Sequence, residues 1–321
     1  SKSFRRNILS MKPSFSKDFT AAPETRSFNK SAMIKKTNWL LQKHRNNTWI
    51  AAMNEEKHKR IGQYEYDMFQ KPLGRGRMSF IYRGVDTSNG NPVAIKVIAL
   101  KECQKTFDPN DIKHDVHFLQ QFPATHTVKF LDLKLTSHNL YIITECCEGD
   151  TFAQYISEHH TMSEPEALNM IKQIAQAFID ISEMSKKNPE YKHYFRHGEL
   201  IPSKVMLLKN GKVKIADFGI PTLVEKIMDV MMVTQYTQNR CFPYESPQLL
   251  RFEEFGPRSD VWSAGVILYE ALCGHTPWGS KNSLTEQIKK IEEIGLKFEH
   301  NISSDVQNLI KHMLKVNEKA R

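Results

Sequence analysis

The hydrophobic pattern predicts strands in two parts of the chain. Residues 213–216, Val-Lys-Ile-Ala, alternate apolar and polar side chains, which is the period of a half-buried strand. Residues 64–82 hold two further strand-like runs around a turn that contains Gly74 and Gly76. Glycine has no Cβ atom, so backbone N–H groups in such a turn can approach a ligand closely. This turn is therefore a candidate ligand-binding loop.

Helical spacing follows in the second half of the chain. Ser163 and Glu166 form a capping box, and Pro165 stands in the first turn. A long helix with its apolar face in the core is predicted, because apolar residues then recur at helical spacing. These expected core residues are Leu168, Ile171, Ala175, Phe178 and Ile181.

The first 60 residues differ from the rest in their pattern. Residues 1–38 lack a regular apolar period and are interrupted by Pro13 and Pro23. A cluster of large apolar side chains with a charged end predicts a helix over residues 36–60. That cluster comprises Trp39, Leu40, Leu41, Trp49, Ile50 and Met53. The chain thus divides into an extended arm, residues 1–60, and a folded domain, residues 61–321.

The net charge of +9 belongs to this arm. Residues 1–60 carry 14 Lys and Arg against 4 Asp and Glu, a net of +10, whereas residues 61–321 carry a net of −1. This composition fits a docking arm, a segment packed on its own domain, or a solvated tail. It also fits an organellar transit segment, since Arg5 and Arg6 lie in a Ser-rich stretch. We favour docking, because scattered aromatic residues between the charges would serve as anchors.

Composition also bears on compartment. The sequence has no apolar run of about 18 residues, so no membrane-spanning helix is expected. Its five cysteines form no C-x-x-C pair and are odd in number, which favours thiols in a reducing compartment.

Residues 193–219 carry the most specific chemistry. They end in Asp217-Phe218-Gly219, directly after the predicted strand, and they contain His197. This segment resembles the catalytic and metal-binding segment of eukaryotic protein kinases, in which H-R-D-L-K-P-x-N precedes D-F-G.

Other motifs extend the resemblance over residues 64–321. Residues 73–82 resemble the kinase glycine-rich loop, with Ser79 in place of the third glycine. Residues 93–96, Val-Ala-Ile-Lys, resemble the strand whose lysine holds the α- and β-phosphates, and residues 260–265 match the D-x-W-S-x-G helix start. The set is most similar to ULK-type Ser/Thr kinases.

The resemblance implies an α+β fold of two lobes. An antiparallel β-rich N-lobe is expected over about residues 61–147 and a mostly helical C-lobe over about residues 148–321, incomplete at its C-terminal end. ATP would lie between the lobes, and a shorter Asp115 replaces the glutamate that pairs with Lys96. The implied nucleotide-binding residues are Gly74, Gly76, Ile81, Ala94, Lys96, Asp115, Glu145, Cys147, Met206 and Asp217, and Asp217 is the implied metal ligand.

The catalytic loop departs from the family pattern at four positions. The family spacing, counted back from Asp217, places Lys204 where the family has a metal-holding Asn. It also places Glu199 at the catalytic Asp, Ile201 at the Lys and Gly198 at the Arg. Ile201 cannot neutralise a γ-phosphate, and Lys204 would repel a metal ion or stand where the cation would sit. Mg²⁺ binding is therefore doubtful.

Positions that build the fold are retained. His197 and Phe218 keep the family's regulatory stack, with Leu119 above them, and Asp260 remains to bond the backbone of the catalytic loop. Because these structural positions survive while the reactive positions of the catalytic loop are replaced, a pseudokinase is expected.

Three functions remain open at this stage. The first is a catalytically inactive scaffold, anchored through its basic arm to an acidic assembly such as a microtubule in the cytoplasm or cilium. The second is a weak Ser/Thr kinase with Glu199 as base, and the third is a switch that binds ATP without turnover. Nucleic acid is a less favoured partner for the arm, because its aromatic residues are too widely spaced for a stacking surface.

Overall fold

The computed structural model describes residues 58–76, 79–100, 112–227, 242–253, 256–279, 283–298 and 302–321. The expected arm and most of its expected helix, in residues 1–57, lie outside the described residues, as does the segment 228–241.

One antiparallel sheet forms the N-lobe. Its strands are His58–Ile61 (β1), Tyr64–Asp67 (β2), Gly74–Arg75 (β3), Ser79–Asp86 (β4), Pro92–Ala99 (β5), Phe130–Leu135 (β6) and Asn139–Glu145 (β7). The order across the sheet is β1-β2-β4-β5-β7-β6, with β3 paired to β4. Val93 and Ile95 are buried on one face of β5 and Ile98 on the other, and they belong to two separate core clusters, so both faces of this strand pack against apolar side chains.

Strand β1 corrects the expected boundary of the arm. Residues 58–60 were expected at the end of a helix, but they pair with β2 through Lys59 and Tyr66. The ammonium of Lys59 lies over the ring of Tyr141, 5.4 Å from its centroid. This first strand therefore belongs to the sheet of the folded domain.

A short helix and a second sheet lie beside the cleft region. The helix is Lys113–Gln120 (α1), in which Phe118 and Leu119 are buried. The small sheet has three antiparallel strands, Gly149–Thr151 (β8), Val205–Leu208 (β9) and Val213–Ile215 (β10), in the order β10-β9-β8. Strand β10 confirms the strand predicted from the alternation over 213–216.

The C-lobe is mostly helical. Its helices are Phe152–His159 (α2), Glu164–Lys187 (α3), Ile220–Ile227 (α4), Pro247–Leu250 (α5), Arg258–Cys273 (α6), Leu284–Glu293 (α7) and Ser304–Met313 (α8). Short 3₁₀ helices cover Pro189–Tyr194, Pro202–Lys204, Phe242–Tyr244 and Glu318–Ala320. The expected two-lobed α+β architecture is confirmed.

Helix α3 follows the predicted pattern with one correction. One half of the predicted capping box is present, since Glu166 Oε2 accepts the backbone N–H of Ser163 at 3.1 Å and its hydroxyl at 2.5 Å. Ala175, expected in the core, is exposed, whereas Ile174 and Ala177 are buried. The buried face runs through positions 171, 174 and 181, and position 175 lies one residue beyond it around the helix.

Helix α6 is the centre of the C-lobe. Trp262 is fully buried and stacks on Trp278 with ring centroids 5.3 Å apart. A Cβ atom on Gly265 would lie 2.8 Å from the Cβ of Met313, so this glycine permits the close approach of α8. None of the helices in the described part of the chain combines the length and apolar character that crossing a bilayer requires.

Candidate functional site

Asp260, in the first turn of α6, binds the backbone of the catalytic loop. Its two carboxylate oxygens accept the backbone N–H groups of His197 and Gly198, each at 2.9 Å. Burial raises the pKa of Asp260 to about 6, although these two hydrogen bonds act in the opposite direction. The expected bond from Asp260 to the loop backbone is therefore confirmed.

His197 connects this loop to the Asp217-Phe218-Gly219 segment. Its Nε2 lies 2.9 Å from the carbonyl oxygen of Ala216, and its Nδ1 accepts the N–H of Glu199 at 3.2 Å. Burial and the nearby Lys204 lower the pKa of His197 to about 4, so the ring is neutral at pH 7. A neutral ring that accepts at Nδ1 must carry its proton on Nε2, which then donates to Ala216.

The expected stack of His197 and Phe218 is present. The two rings meet edge to face, with centroids 5.4 Å apart, and both are buried. Leu119 of α1 is buried as well. This part of the kinase-like frame is thus intact.

The backbone fixes the position of Lys204. Pro202 starts the 3₁₀ turn that ends at Lys204, whose N–H donates to Ile201 O at 2.9 Å. The carbonyl oxygen of Lys204 accepts the N–H of Ala216 at 2.8 Å. Bonds on both sides hold this residue directly beside Asp217.

Four charged side chains then form an alternating chain. Lys96 Nζ lies 2.6 Å from Asp217 Oδ2, and Lys204 Nζ lies 3.6 Å from the same oxygen. Lys204 Nζ also lies 2.5 Å from Glu199 Oε2. We call Lys96, Asp217, Lys204 and Glu199 the charge cluster. With two positive and two negative groups, the cluster is neutral as a set.

Each carboxylate of the charge cluster is stabilised in its ionised form. Burial would raise the pKa of Asp217, but Lys96 and Lys204 outweigh it and hold the pKa well below its usual range. The same balance applies to Glu199, whose pKa is lowered mainly by Lys204 against the opposing effect of burial. Both carboxylates are therefore charged at neutral pH.

The backbone of Asp217 is left-handed, with φ of 63°. Gly198 also has a positive φ, 75°, a backbone conformation that would be strained for an L-amino acid with a side chain. A non-glycine residue in this conformation persists only when neighbouring contacts hold it, and such residues cluster at functional sites. For Asp217 those contacts come from Lys96 and Lys204, whereas Gly198 adopts its positive φ without strain.

The walls of the expected nucleotide cleft lie on both sheets. Gly74 of β3 pairs with Ile81 of β4, and Gly76 N–H donates to Ser79 O at 2.8 Å. Ile81, Ala94 on β5 and Met206 on β9 are only partly buried, which leaves apolar surface that a planar base could cover. The residues present thus fit an adenine nucleotide.

The connection between the lobes contains an ion pair that the sequence did not predict. Glu145 Oε1 accepts Lys214 Nζ at 2.5 Å and the N–H of Lys129 at 2.8 Å. The side chain of Glu145 thus has a structural role in linking β7 to β10. Cys147 follows in irregular chain, and burial raises the pKa of its thiol to about 11. Among the described residues, Cys146, Cys147 and Cys273 are not joined in disulfides.

Asp115 is buried on α1, with 6% of its surface exposed. Lys96, its expected partner, donates to Asp217. The role of Asp115 in nucleotide binding stays a prediction, as do the roles of the glycines and of Cys147.

The residues fit Mg²⁺ poorly. Mg²⁺ demands oxygen ligands in octahedral geometry. Asp217 supplies oxygens, but its Oδ2 already faces two ammonium groups, Lys96 and Lys204. Lys204 occupies the position from which the family's Asn would hold a metal, and an ammonium group cannot coordinate one.

Lys204 was not counted among the site residues from the sequence, although its spacing from Asp217 gave the signal. The motif indicated which side chain was lost, an Asn, but did not indicate what the new ammonium would contact. The structure places it within the charge cluster, in contact with Glu199.

The kinase motif A-P-E, whose glutamate pairs with an arginine, corresponds to Ser246-Pro247-Gln248 in this chain. The guanidinium of Arg321 donates to the side-chain oxygen of Gln248, so this contact is polar and not an ion pair. Arg321 also lies over the ring of Trp262, 5.1 Å from its centroid.

Comparisons with known proteins agree with this frame. A family model described as the protein kinase domain matches residues 68–321. Serine/threonine-protein kinase atg1 of Dictyostelium discoideum is 27% identical over 276 residues, covering 82% of this chain and 38% of that protein. Calcium-dependent protein kinase 5 of Plasmodium falciparum is 28% identical over 267 residues, covering 80% of this chain and 43% of that protein.

A plant relative has the same degree of similarity. CBL-interacting protein kinase 33 of rice is 27% identical over 268 residues, covering 82% of this chain and 55% of its own length. The chain therefore spans about two fifths to just over half of these relatives. The kinase relatives support a Ser/Thr-kinase-like domain. Because their identities to this chain are nearly equal, the assignment to ULK-type kinases stays a prediction. With its domain match, its two lobes and its retained His197–Phe218 frame, the chain belongs to the protein kinase family.

Proposed function

We propose that this kinase domain does not transfer phosphate and instead serves as a binding scaffold, that is, as a pseudokinase. One observation carries the proposal: Lys204 Nζ lies 2.5 Å from Glu199 Oε2. Protein kinases normally bind ATP with Mg²⁺ and use a carboxylate at this loop position to accept the proton of the substrate hydroxyl. Here that carboxylate is engaged by a lysine of the same loop.

The ion pair weakens the chemistry in two ways. An ammonium at 2.5 Å stabilises the ionised form of Glu199, so its basicity towards a hydroxyl proton is reduced. Half-buried Ile201, at the position of the family's lysine, supplies no charge to a developing phosphate. Each loss of a positioned electrostatic group costs about a hundredfold or more in rate.

Radiolabelled phosphate transfer tests this proposal directly. Purified protein would be incubated with γ-labelled ATP, Mg²⁺ or Mn²⁺, and a mixture of Ser- and Thr-containing peptides, with Asp217→Ala as the matched control. We expect wild type and Asp217→Ala to give the same background. Incorporation that is present in wild type and abolished in Asp217→Ala would contradict the proposal.

A weak Ser/Thr kinase is the second candidate. It is favoured by the intact contact between Lys96 and Asp217 at 2.6 Å and by the carboxylate retained at position 199. The same assay separates the candidates, because a weak kinase predicts slow transfer that is lost with Asp217→Ala.

We further propose that the basic arm anchors the domain to a large acidic protein assembly, such as a cytoskeletal or ciliary filament in the cytoplasm. The support is the net charge of +10 in residues 1–60, against −1 in residues 61–321. Charge of this density attracts an acidic surface over long range, and the scattered Phe and Trp residues offer anchors once contact is made.

Localisation of three proteins in cells tests the arm. They are the full chain, the full chain with the Lys and Arg residues of 1–57 replaced by Gln, and residues 1–57 fused to a reporter. The division falls before His58 because β1 belongs to the domain. We expect the full chain and the reporter fusion to share a location that the neutralised chain loses. An unchanged location of the neutralised chain would contradict the anchoring role.

A further inference from the structure

We infer that the cleft binds a nucleotide polyphosphate as the free anion, with the Lys204 ammonium in the place of a metal ion. The inference deepens the proposed function and rests on it, since a kinase that turns over requires the metal. It concerns how the ligand is held, which the absence of turnover does not decide.

The first step is the position of Lys204. Its backbone is bonded to Ile201 on one side and to Ala216 on the other, so its Cα is fixed beside Asp217. Its side chain is 10% exposed, and its ammonium lies 3.6 Å from Asp217 Oδ2. A fixed positive charge therefore stands next to the carboxylate that holds the metal in the family.

The second step is electrostatic. A divalent cation bound to Asp217 would lie within a few ångströms of both Lys96 and Lys204, because both ammonium groups contact the same oxygen, Oδ2. Like charges at such short distance repel strongly in a half-buried site. Removal of one ammonium would relieve this repulsion, so Lys204 is the residue that decides whether a metal can enter.

The third step is the ligand. Lys96 and Lys204 present two ammonium groups on one side of the cleft, bridged by a single carboxylate oxygen. Lysine acts on phosphate as a point charge with several donors, so this pair suits a di- or triphosphate. Glu199 is the more exposed partner of Lys204, with 30% of its side chain accessible, and a phosphate oxygen can replace it as the counter-charge.

The adenine ring of the nucleotide requires an apolar site. Ile81, Ala94 and Met206 are half-buried on the two sheets that face the cleft, as an apolar ring system requires. The chain supplies the apolar walls and two ammonium groups, and displacement of Glu199 leaves one net positive charge at Lys96, Asp217 and Lys204 to offset part of the phosphate charge without a metal. Mg²⁺, which binds ATP in solution, should then compete with the protein for the nucleotide.

Calorimetric titration of the full chain tests the inference. ATP and ADP would each be titrated in EDTA and in excess Mg²⁺, against wild type, Lys204→Asn and Lys209→Asn. Lys209 is an exposed residue on the turn after β9, so the same substitution there changes the charge equally without touching the cleft. Thermal melting without nucleotide would confirm that each variant folds.

We expect wild type and Lys209→Asn to bind in EDTA and to bind no better, or more weakly, in Mg²⁺. We expect Lys204→Asn to reverse this order, with Mg²⁺ strengthening its binding by about tenfold, the scale of a charge-assisted contact. Tenfold tighter binding of wild type in Mg²⁺ would overturn the inference, as would the absence of binding in both buffers.

The wild-type titrations stand by themselves if Lys204→Asn does not fold. Failure here is also distinct from failure of the proposed function. A protein that binds Mg²⁺–ATP more tightly but transfers no phosphate overturns only this inference, whereas phosphate transfer that requires Asp217 overturns the proposed function.

Discussion

The catalytic loop contains two short stretches with opposite characters. At its start, His197 and Gly198 are held by the Asp260 carboxylate, and His197 packs on Phe218. A few residues later, Glu199 and Lys204 form an ion pair that the family pattern does not contain. The geometry of this kinase loop and its chemistry therefore depend on separate side chains.

The physical reason lies in what each contact satisfies. Asp260 accepts two buried N–H groups, and a buried donor without an acceptor costs about 1–3 kcal/mol. Its loss would disturb folding whether or not the protein is an enzyme. Glu199, Ile201 and Lys204 are not needed for those backbone bonds, so they can change while the loop keeps its shape.

The largest expected effect is a gain of phosphate transfer when the reactive stretch is rebuilt. Glu199→Asp, Ile201→Lys and Lys204→Asn together restore the family's base, phosphate ligand and metal ligand on an intact frame. We expect the transfer rate to rise by about ten-thousandfold above the wild-type background, given a factor of about a hundred for each of two electrostatic groups. The same triple change with Asp217→Ala is the control.

A smaller effect is expected from breaking the frame. Asp260→Ala leaves the N–H groups of His197 and Gly198 without their acceptor, at a cost of about 3 kcal/mol in the free energy of unfolding. Chemical denaturation of wild type and variant measures it. Asp260→Asn should cost less, because its amide oxygen still accepts one of the two bonds. Equal stability of Asp260→Ala and wild type would show that the loop is held by other contacts.

The fold of the catalytic loop could be predicted from the sequence, whereas the contacts of its substituted side chains could not. The fold was predicted from a set of motifs, among them the glycine-rich loop, Lys96 in its strand and Asp217-Phe218-Gly219, because such motifs recur throughout the family. The contact of Lys204 with Glu199 could not be predicted, since a lost Asn does not specify where a flexible lysine side chain will settle. Strand β1 was missed as well, because His58-Lys59-Arg60 reads as the charged end of a helix until its partner Tyr66 is known.

A still smaller effect concerns the pH dependence of the charge cluster. The pKa of Glu199 is lowered from its ordinary 4.5, so its ion pair stabilises the folded state fully above that pH and is lost as the pH falls below it. Wild type should exceed Glu199→Gln by about 1 kcal/mol in the free energy of unfolding at pH 7. The gap should narrow below pH 4.5, and a gap that is constant down to pH 3 would contradict the ion pair.

The smallest effect is expected at the polar substitute for the family's ion pair. Gln248 accepts from Arg321 through its oxygen and donates to Val316 O at 2.8 Å through its amide nitrogen. Gln248→Glu would strengthen the first contact and lose the second, so we expect a change below about 1 kcal/mol in thermal denaturation experiments. A large stabilisation by Gln248→Glu would show that the loss of the family's glutamate at position 248 has weakened the fold.

The most direct test is a crystal structure of the protein with ADP and Mn²⁺, recorded to reveal anomalous scattering from manganese. We expect nucleotide in the cleft, Lys204 still in contact with Asp217, and no manganese peak at the Asp217 carboxylate. A manganese ion coordinated by Asp217, with Lys204 displaced from the charge cluster, would contradict this expectation.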